Sequence, residues 1–244
     1  MPALPFLRRI LDYCFSSGCS HCGSPTGGSP VPFFCPACWD ELSPVPPPVC
    51  PRCVRPFGSP EALAASPDHA CRHCRTDPPD LDQAIAAGLF EGPLRDAIHV
   101  YKYRPLMALG GPLAGWMTDR VRKVERLDVV MPVPLHASRL RKRGFNQALL
   151  LARGASGSYR VPLVYDNLLR VRPTRPQVEL SGRERAANVA GAFALKRPDE
   201  VREKRVLLVD DVLTTGATMN ECSRALREAG AEAVVALTLA RAVD

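Results

Sequence analysis

The chain has 244 residues, 46% of them apolar and 23% charged, with a formal net charge of +7. That length suffices for one full α/β domain and a small appendage, and no uninterrupted apolar run approaches the ~20 residues needed to span a bilayer. The charge is uneven: residues 1–80 hold six Lys or Arg against seven Asp or Glu, whereas 81–244 hold 26 against 18. Arg139 to Arg175 alone carries nine basic residues and one acid, Asp166. The partners this implies are polyanions: a diphosphate, a nucleic-acid backbone, or both.

Residues 1–17 form a short amphipathic pattern (Leu4, Leu7, Ile10, Leu11) interrupted by Arg8 and Arg9. An export signal places its charges before the apolar core, so the pattern reads as a packing helix and the chain as cytoplasmic. Nine of the ten cysteines lie before residue 75. Eight make four Cys-x-x-Cys pairs: Cys19/Cys22, Cys35/Cys38, Cys50/Cys53 and Cys71/Cys74. Each such turn aims two thiolates at one centre, and two turns complete a tetrahedral four-sulfur Zn2+ site with no open position, hence a structural one. Consecutive pairing is the simplest arrangement and interleaved pairing the alternative. A disulfide framework suits a reducing cytosol poorly, and a redox role would need only one pair in a βαβ setting. This Pro- and Gly-rich region cannot bury a core alone, and metal binding would supply on the order of 10 kcal/mol per site. His21, His69 and His73 are bystanders to complete quartets, Trp39 is a packing residue, and Cys14 and Cys222 are free packed thiols.

Asp77-Pro78-Pro79 closes the cysteine region, giving expected units of 1–17, 18–79 and 80–244. Beyond it, Ala84 to Phe90 reads as a strand, Leu94 to Tyr103 and Leu106 to Arg122 as helices, and Asp128 to Met131 as a strand ending in Pro132 to His136. A helix follows from about Asn146 to Ala155, then a strand at Leu168 to Val171. Arg172 to Val189 is polar, contains prolines and should form no stable element. Strand Val206–Val209, a helix from about Met219 to Ala229 and a strand near Ala233–Leu239 complete an alternation that predicts a doubly wound, mainly parallel sheet.

The densest signal is Val206 to Thr218, VLLVDDVLTTGAT. A buried strand ends in Asp210 and Asp211, and a turn of small and hydroxyl residues, Thr214, Thr215, Gly216, Ala217 and Thr218, opens a helix. Ligands of α/β sheets bind beyond the carboxyl ends of strands, and the N–H groups of such a turn suit a phosphate. The two acids repel phosphate but accept hydrogen bonds from vicinal hydroxyls, or hold Mg2+. A ribose 5-phosphate carries both features. The string resembles the 5-phosphoribosyl-1-diphosphate (PRPP) signature of type I phosphoribosyltransferases.

That resemblance implies a type I phosphoribosyltransferase fold with a diphosphate loop at Leu135, His136 and Ala137, near Arg139 and Arg143. It also implies a hood over Arg172 to Asn188, from which Arg170, Arg172, Gln177, Arg183 and Asn188 would reach the diphosphate. Adding the four cysteine pairs, Tyr101-Lys102-Tyr103, the string PVPL…RLRKRGFNQA over 132–148 and Gln177…Leu180…Arg183…Asn188…Phe193, the whole chain resembles the ComF family of competence-associated phosphoribosyltransferase-like proteins. Membership implies a double zinc ribbon ahead of the phosphoribosyltransferase-like domain, and PRPP and single-stranded DNA as ligands. A competence helicase and a second copy of the chain would be partners. Two functions follow. In an enzyme, Asp210, Asp211 and Arg183 would serve catalysis, Thr214 to Thr218 would hold the 5-phosphate, and Lys102 would join the 135–139 loop on the diphosphate. In a DNA-binding module, the basic 139–175 segment would do the work and the pocket would be regulatory.

Overall fold

The computed structural model describes residues 18–59, 66, 68–103, 107–121, 124, 126–174 and 182–243. The expectation for the helix at 1–17, and with it Cys14, lies outside the described residues. In chain order the elements are α1 (Pro36–Asp40), α2 (Arg72–Thr76), β1 (Gln83–Leu89), α3 (Gly92–Tyr103), α4 (Gly110–Arg120), β2 (Val129–Pro132), α5 (Ala137–Arg143), α6 (Gln147–Tyr159), β3 (Leu168–Arg170), α7 (Gly182–Val189), β4 (Phe193–Leu195), β5 (Arg205–Leu213), α8 (Ala217–Glu228) and β6 (Ala233–Arg241). No helix among the described residues is long and apolar enough to cross a membrane.

Strands β1, β6, β5 and β2 form one parallel sheet in that order. β6 is buried at every position, as expected of a central parallel strand covered on both faces. Side chains alternate across β5. Leu207 and Val209 join one core with α4, α6, Phe34 and Leu42. Val206 and Leu208 join the other with α8, Leu168 and Phe193. On the first face Gly154 lets α6 approach α4, since a Cβ there would fall 2.5 Å from that of Ala114.

Four expectations are corrected. The strand at Leu168 does not enter the main sheet; it pairs antiparallel with β4, Leu168 opposite Leu195 and Arg170 opposite Phe193. The outer edge of β2 is instead met by Leu163, which bridges Val130. Within the 172–189 stretch, α7 is a helix, anchored by buried Val189 and closed by Arg172, whose Nη2 donates to the carbonyls of Asn188 at 3.2 Å and Ala190 at 2.6 Å. A guanidinium there meets the carbonyl end of the helix dipole. The 132–139 segment is loop only through His136: its Nδ1 accepts from the Ser138 N–H at 3.3 Å, so Ala137 and Arg139 lie on helix α5. The second early helix starts at Gly110, after a 3-10 turn at Met107–Leu109, and Pro112 occupies its first turn, where a missing N–H is harmless.

β5 also runs further than its apolar run, to Leu213, because β6 continues to Arg241 and offers partners for Val212 and Leu213. The acidic pair therefore sits inside the ladder, with Asp210 opposite Thr238.

Candidate phosphoribosyl site at the carboxyl end of the sheet

Being adjacent on a strand, Asp210 and Asp211 project to opposite faces of the sheet. Asp211 follows Leu207 and Val209 toward α3. It is 8% exposed, and its Oδ1 lies 2.8 Å from Lys102 Nζ. Asp210 follows Val206 and Leu208 toward α8 and the β3–β4 hairpin, and one of its oxygens accepts the Asp211 N–H at 2.9 Å. Burial pushes the Asp210 carboxyl up to about 7 and the charge of Asp211 adds to this, while Lys102 and Arg170 pull the other way. Burial also drives the neighbouring Cys222 thiol well above its ordinary range, with Asp210 adding to the effect.

Five residues beyond Asp211 the chain turns at Gly216, whose φ of 85° favours glycine. Helix α8 begins at Ala217, and the N–H of Ala217 reaches Thr215 Oγ1 at 3.4 Å. The turn is held from below by Arg241, which is 3% exposed. Its Nη1 donates to the carbonyls of Leu213 at 2.9 Å, Thr214, and Ala242 at 2.7 Å. With these carbonyls tied inward, the first turn of α8 lies at the open end of the helix.

On the neighbouring strand β2, the loop from Val133 to His136 opens at the same sheet edge. Gly144, at φ 80°, ends α5, and Asn146 starts α6: its side-chain oxygen accepts the Ala148 N–H at 3.0 Å and its Nδ2 donates to the Val133 carbonyl at 3.1 Å. Gln147 is 2% exposed. Its carbonyl accepts the Tyr101 hydroxyl at 2.9 Å, and its Oε1 accepts Arg143 Nη1 at 3.1 Å. The RGFNQ string thus ties the 133–136 loop to the helix that carries Lys102.

The hood stem is the β3–β4 hairpin. Arg170 lies over the Phe193 ring at 5.2 Å and donates from Nη2 to Thr174 Oγ1 at 2.5 Å. Arg139 Nη2 donates to the Thr174 carbonyl at 3.2 Å. The stem is latched to α8 by Glu221, which accepts the Gly191 N–H at 2.5 Å.

The cysteines form two groups, Cys19/Cys22/Cys35/Cys38 and Cys50/Cys53/Cys71/Cys74, each with its four sulfurs within 4.8 Å of one another. Pairs are consecutive, not interleaved. Crowding separates the thiols within a group. The Ser24 side chain and backbone hold Cys22 down at about 6, while burial and then Cys22 push Cys38 up. In the second group burial raises Cys53 to about 11, and burial with Cys53 raises Cys74 further. The histidines stand outside both groups: His21 pairs with Asp96 at 2.8 Å, and His69 packs on Phe57. Trp39 packs against Phe34, with ring centroids 6.2 Å apart.

Residues 128–243 match the family profile described as "Phosphoribosyl transferase domain". Competence protein F of Haemophilus influenzae is 35% identical over 179 residues, covering 70% of this chain and 78% of that protein. The chain belongs to the ComF family. Within it, the "DNA utilization protein YhgH" of Salmonella typhimurium is 31% identical over 199 residues, 79% of this chain and 84% of that one. Among solved structures, glutamine phosphoribosylpyrophosphate amidotransferase from B. subtilis is 20% identical over 57% of this chain and 30% of its own, with a TM-score of 0.40.

For this ComF-family chain, the structure gathers Lys102, Asp210, Asp211, the 214–218 turn and the 135–136 loop at one sheet edge. Arg139 and Arg170 meet at Thr174, on the opposite face of β5 from Lys102, and Arg172 is committed to the end of α7. Gln177 and the Arg183 side chain lie outside the described residues. Sequence reasoning missed Arg241, Gln147, Thr174 and Glu221. Arg241 gave no signal, because a lone arginine ending a strand looks like a surface residue. Gln147 was visible in the RGFNQ string, but a buried amide cannot be told from an exposed one by its letter.

Proposed function

We propose that the chain binds PRPP with Mg2+ and transfers its phosphoribosyl group. The observation that carries this reading is the apposition, at the end of one strand, of an acidic pair and a glycine-turned helix start whose carbonyls are clamped inward. The first helical N–H groups and the hydroxyls of Thr214, Thr215 and Thr218 would hold the 5-phosphate. Asp211 and Asp210, from opposite sides of the strand tip, would accept the ribose hydroxyls. Lys102 would leave Asp211 for the diphosphate, alongside the 133–136 loop and Arg143. The acceptor forms its bond to the anomeric carbon as the bond to diphosphate breaks, and positioning and charge do most of the work. Mg2+ would neutralise charge on the leaving diphosphate, and the carboxylates at the sheet edge suit a hard cation. Zn2+ in each cysteine quartet would be structural. The names of the relatives, competence protein and DNA utilization protein, extend the role to DNA.

A second reading, a DNA-binding module with a regulatory pocket, draws on one observation: Arg141 and Lys142 are exposed on the last turn of α5. Binding there would be electrostatic and fall steeply with salt. The deciding experiment is calorimetric titration with PRPP and Mg2+, followed by a diphosphate-release screen across nucleobases and amines. Paired Asp210→Asn and Asp211→Asn substitutions should abolish PRPP turnover and spare DNA affinity. Neutralising Arg141 and Lys142 should do the reverse. Absence of PRPP binding by the wild type would end the first reading.

A further inference from the structure

We propose that Gln147 is a positioning residue for the diphosphate of PRPP: it directs the Arg143 guanidinium through an uncharged oxygen, so that nothing at position 147 competes with the ligand's anionic oxygens. The proposal rests on the PRPP reading above. Gln147 opens α6 and is 2% exposed. Its Oε1 accepts from Arg143 Nη1 at 3.1 Å. A guanidinium carries donors only, so the amide must turn its oxygen to Arg143 and its nitrogen away. That nitrogen, Nε2, is buried and meets no acceptor.

An unsatisfied buried donor is rare in a native fold, and exchanging the amide nitrogen for oxygen would remove it. A glutamate fits the same space, has no N–H to leave unpaired, and would hold Arg143 in a charge-assisted pair. Hydrogen bonding alone therefore favours the acid. What the acid would spoil is the charge of this corner. From Val129 to Tyr165 the chain contains no acidic residue, and that stretch includes the 133–136 loop, α5 and the start of α6. Whatever else Arg143 touches, residue 147 lends it direction without a negative charge. To an anion arriving at the loop, an amide oxygen is neutral company and a carboxylate is a rival.

The rest of the corner is braced by contacts that a new side chain at 147 leaves in place. Asn146 Nδ2 donates to the Val133 carbonyl at 3.1 Å, and the Tyr101 hydroxyl donates to the main-chain carbonyl of Gln147 at 2.9 Å. Burial, then the charge of Asp211, drives the Tyr101 hydroxyl above its ordinary range, so it stays a donor. The Tyr101 ring packs on Phe145, with centroids 5.8 Å apart. Lys102 is the next residue of α3, so the start of α6 and the helix of Lys102 remain joined in such variants.

The test is calorimetric titration of the full chain with PRPP and, separately, with ribose 5-phosphate, both with Mg2+. Ribose 5-phosphate carries the 5-phosphate and the ring hydroxyls but no diphosphate. Gln147→Glu should bind ribose 5-phosphate within about twofold of the wild type and PRPP about tenfold or more weaker, the value of one charged contact. Gln147→Met keeps the volume and drops both polar atoms. It should shift the same ratio in the same direction by about threefold or more, and it decides the matter should Gln147→Glu fail to fold. An unchanged ratio of the two affinities in a folded variant overturns the proposal, as does an equal loss of both ligands. A structural role alone would produce one of those two results. Should the wild type fail to bind PRPP, the PRPP reading falls by itself, and inorganic diphosphate with Mg2+ becomes the probe. Wild-type binding of diphosphate that Gln147→Glu weakens would then still support the positioning role, whereas unchanged binding, or none by the wild type, would overturn it.

Discussion

The cysteine quartets and the tip of β5 each crowd groups that repel one another when ionised, and they differ in what relieves the repulsion. At the strand tip the protein supplies its own counter-charges: Lys102 lies 2.8 Å from Asp211, and Arg170 offsets Asp210. In the quartets sulfurs crowd against sulfurs, with Cys22 and Cys35, and Cys53 and Cys71, each 3.7 Å apart, and the nearby donors are uncharged, such as the Cys71 N–H on Cys50 Sγ at 3.3 Å. The strand tip therefore carries its own neutralisation, whereas the quartets would gain theirs from a bound cation. The quartets also differ from each other. Cys19, Cys35 and Cys38 belong to the main core beside the sheet. Cys50, Cys71 and Cys74 form a small cluster whose company is Cys53, Phe57 and Ala70.

Metal removal should produce the largest effect. Chelation is expected to remove on the order of 10 kcal/mol of binding energy per site, releasing the second cluster before the sheet melts. Limited proteolysis should cut near residues 50–75 first. Cys38→Ser should lower the melting temperature of the whole chain by about 5–10 °C, equivalent to a few kcal/mol at this size. Cys74→Ser should leave the sheet's melting nearly unchanged. Equal effects of the two substitutions would erase the distinction between the quartets.

Arg241→Met should come next, because the carbonyls of Leu213, Thr214 and Ala242 lose a buried donor. A loss of about 3 kcal/mol is expected from chemical unfolding, with weaker PRPP binding. Lysine at this position should restore stability better than PRPP affinity, since it keeps the charge but loses the fork.

Asp211→Asn removes the counter-ion of Lys102 and a charged acceptor for a ribose hydroxyl. PRPP affinity should fall by about 10- to 100-fold, the value of a charged hydrogen bond. A smaller loss than at Asp210 would put the ribose on the other face of the strand.

The last effect is a pH-dependent gain. An unfolded aspartate ionises near 3.8, and Asp210 in the fold at about 7. Between these values the native state holds the extra proton, so stability falls as pH rises, by up to about 1.4 kcal/mol per pH unit. Asp210→Asn should accordingly be more stable than the wild type above pH 7 and indistinguishable below pH 4 in urea titrations. Stabilisation at every pH would assign the strain to shape, not charge.

Much of this was legible in the linear order of residues. The four Cys-x-x-Cys spacings announced four-sulfur sites, and VLLVDDVLTTGAT announced strand, acids, turn and helix, because each is a local pattern satisfied by neighbours in sequence. The hood was misread for the opposite reason. β3 looks like any apolar run until Phe193–Leu195 is found to be its partner, and α7 is too polar to declare itself without Arg172 holding its far end. The 135–139 region was read as loop because the His136 cap that starts α5 is a side-chain choice that periodicity does not register.

The amino-acid string by itself determined the chemistry available: paired thiols, paired carboxylates, a glycine where φ must be positive, and basic residues gathered after residue 138. Only the tertiary structure decided how these are shared out. It joined consecutive cysteine pairs, sent the two aspartates to opposite faces with Lys102 against one and Arg170 near the other, and brought Arg241 beneath a turn more than twenty residues earlier. The physical reason is that strand alternation and sheet order set which side chains meet. Sheet order here pairs β5 with β2, from before the hood, as well as with β6, and places β1 on the far side of β6, relations no local pattern encodes.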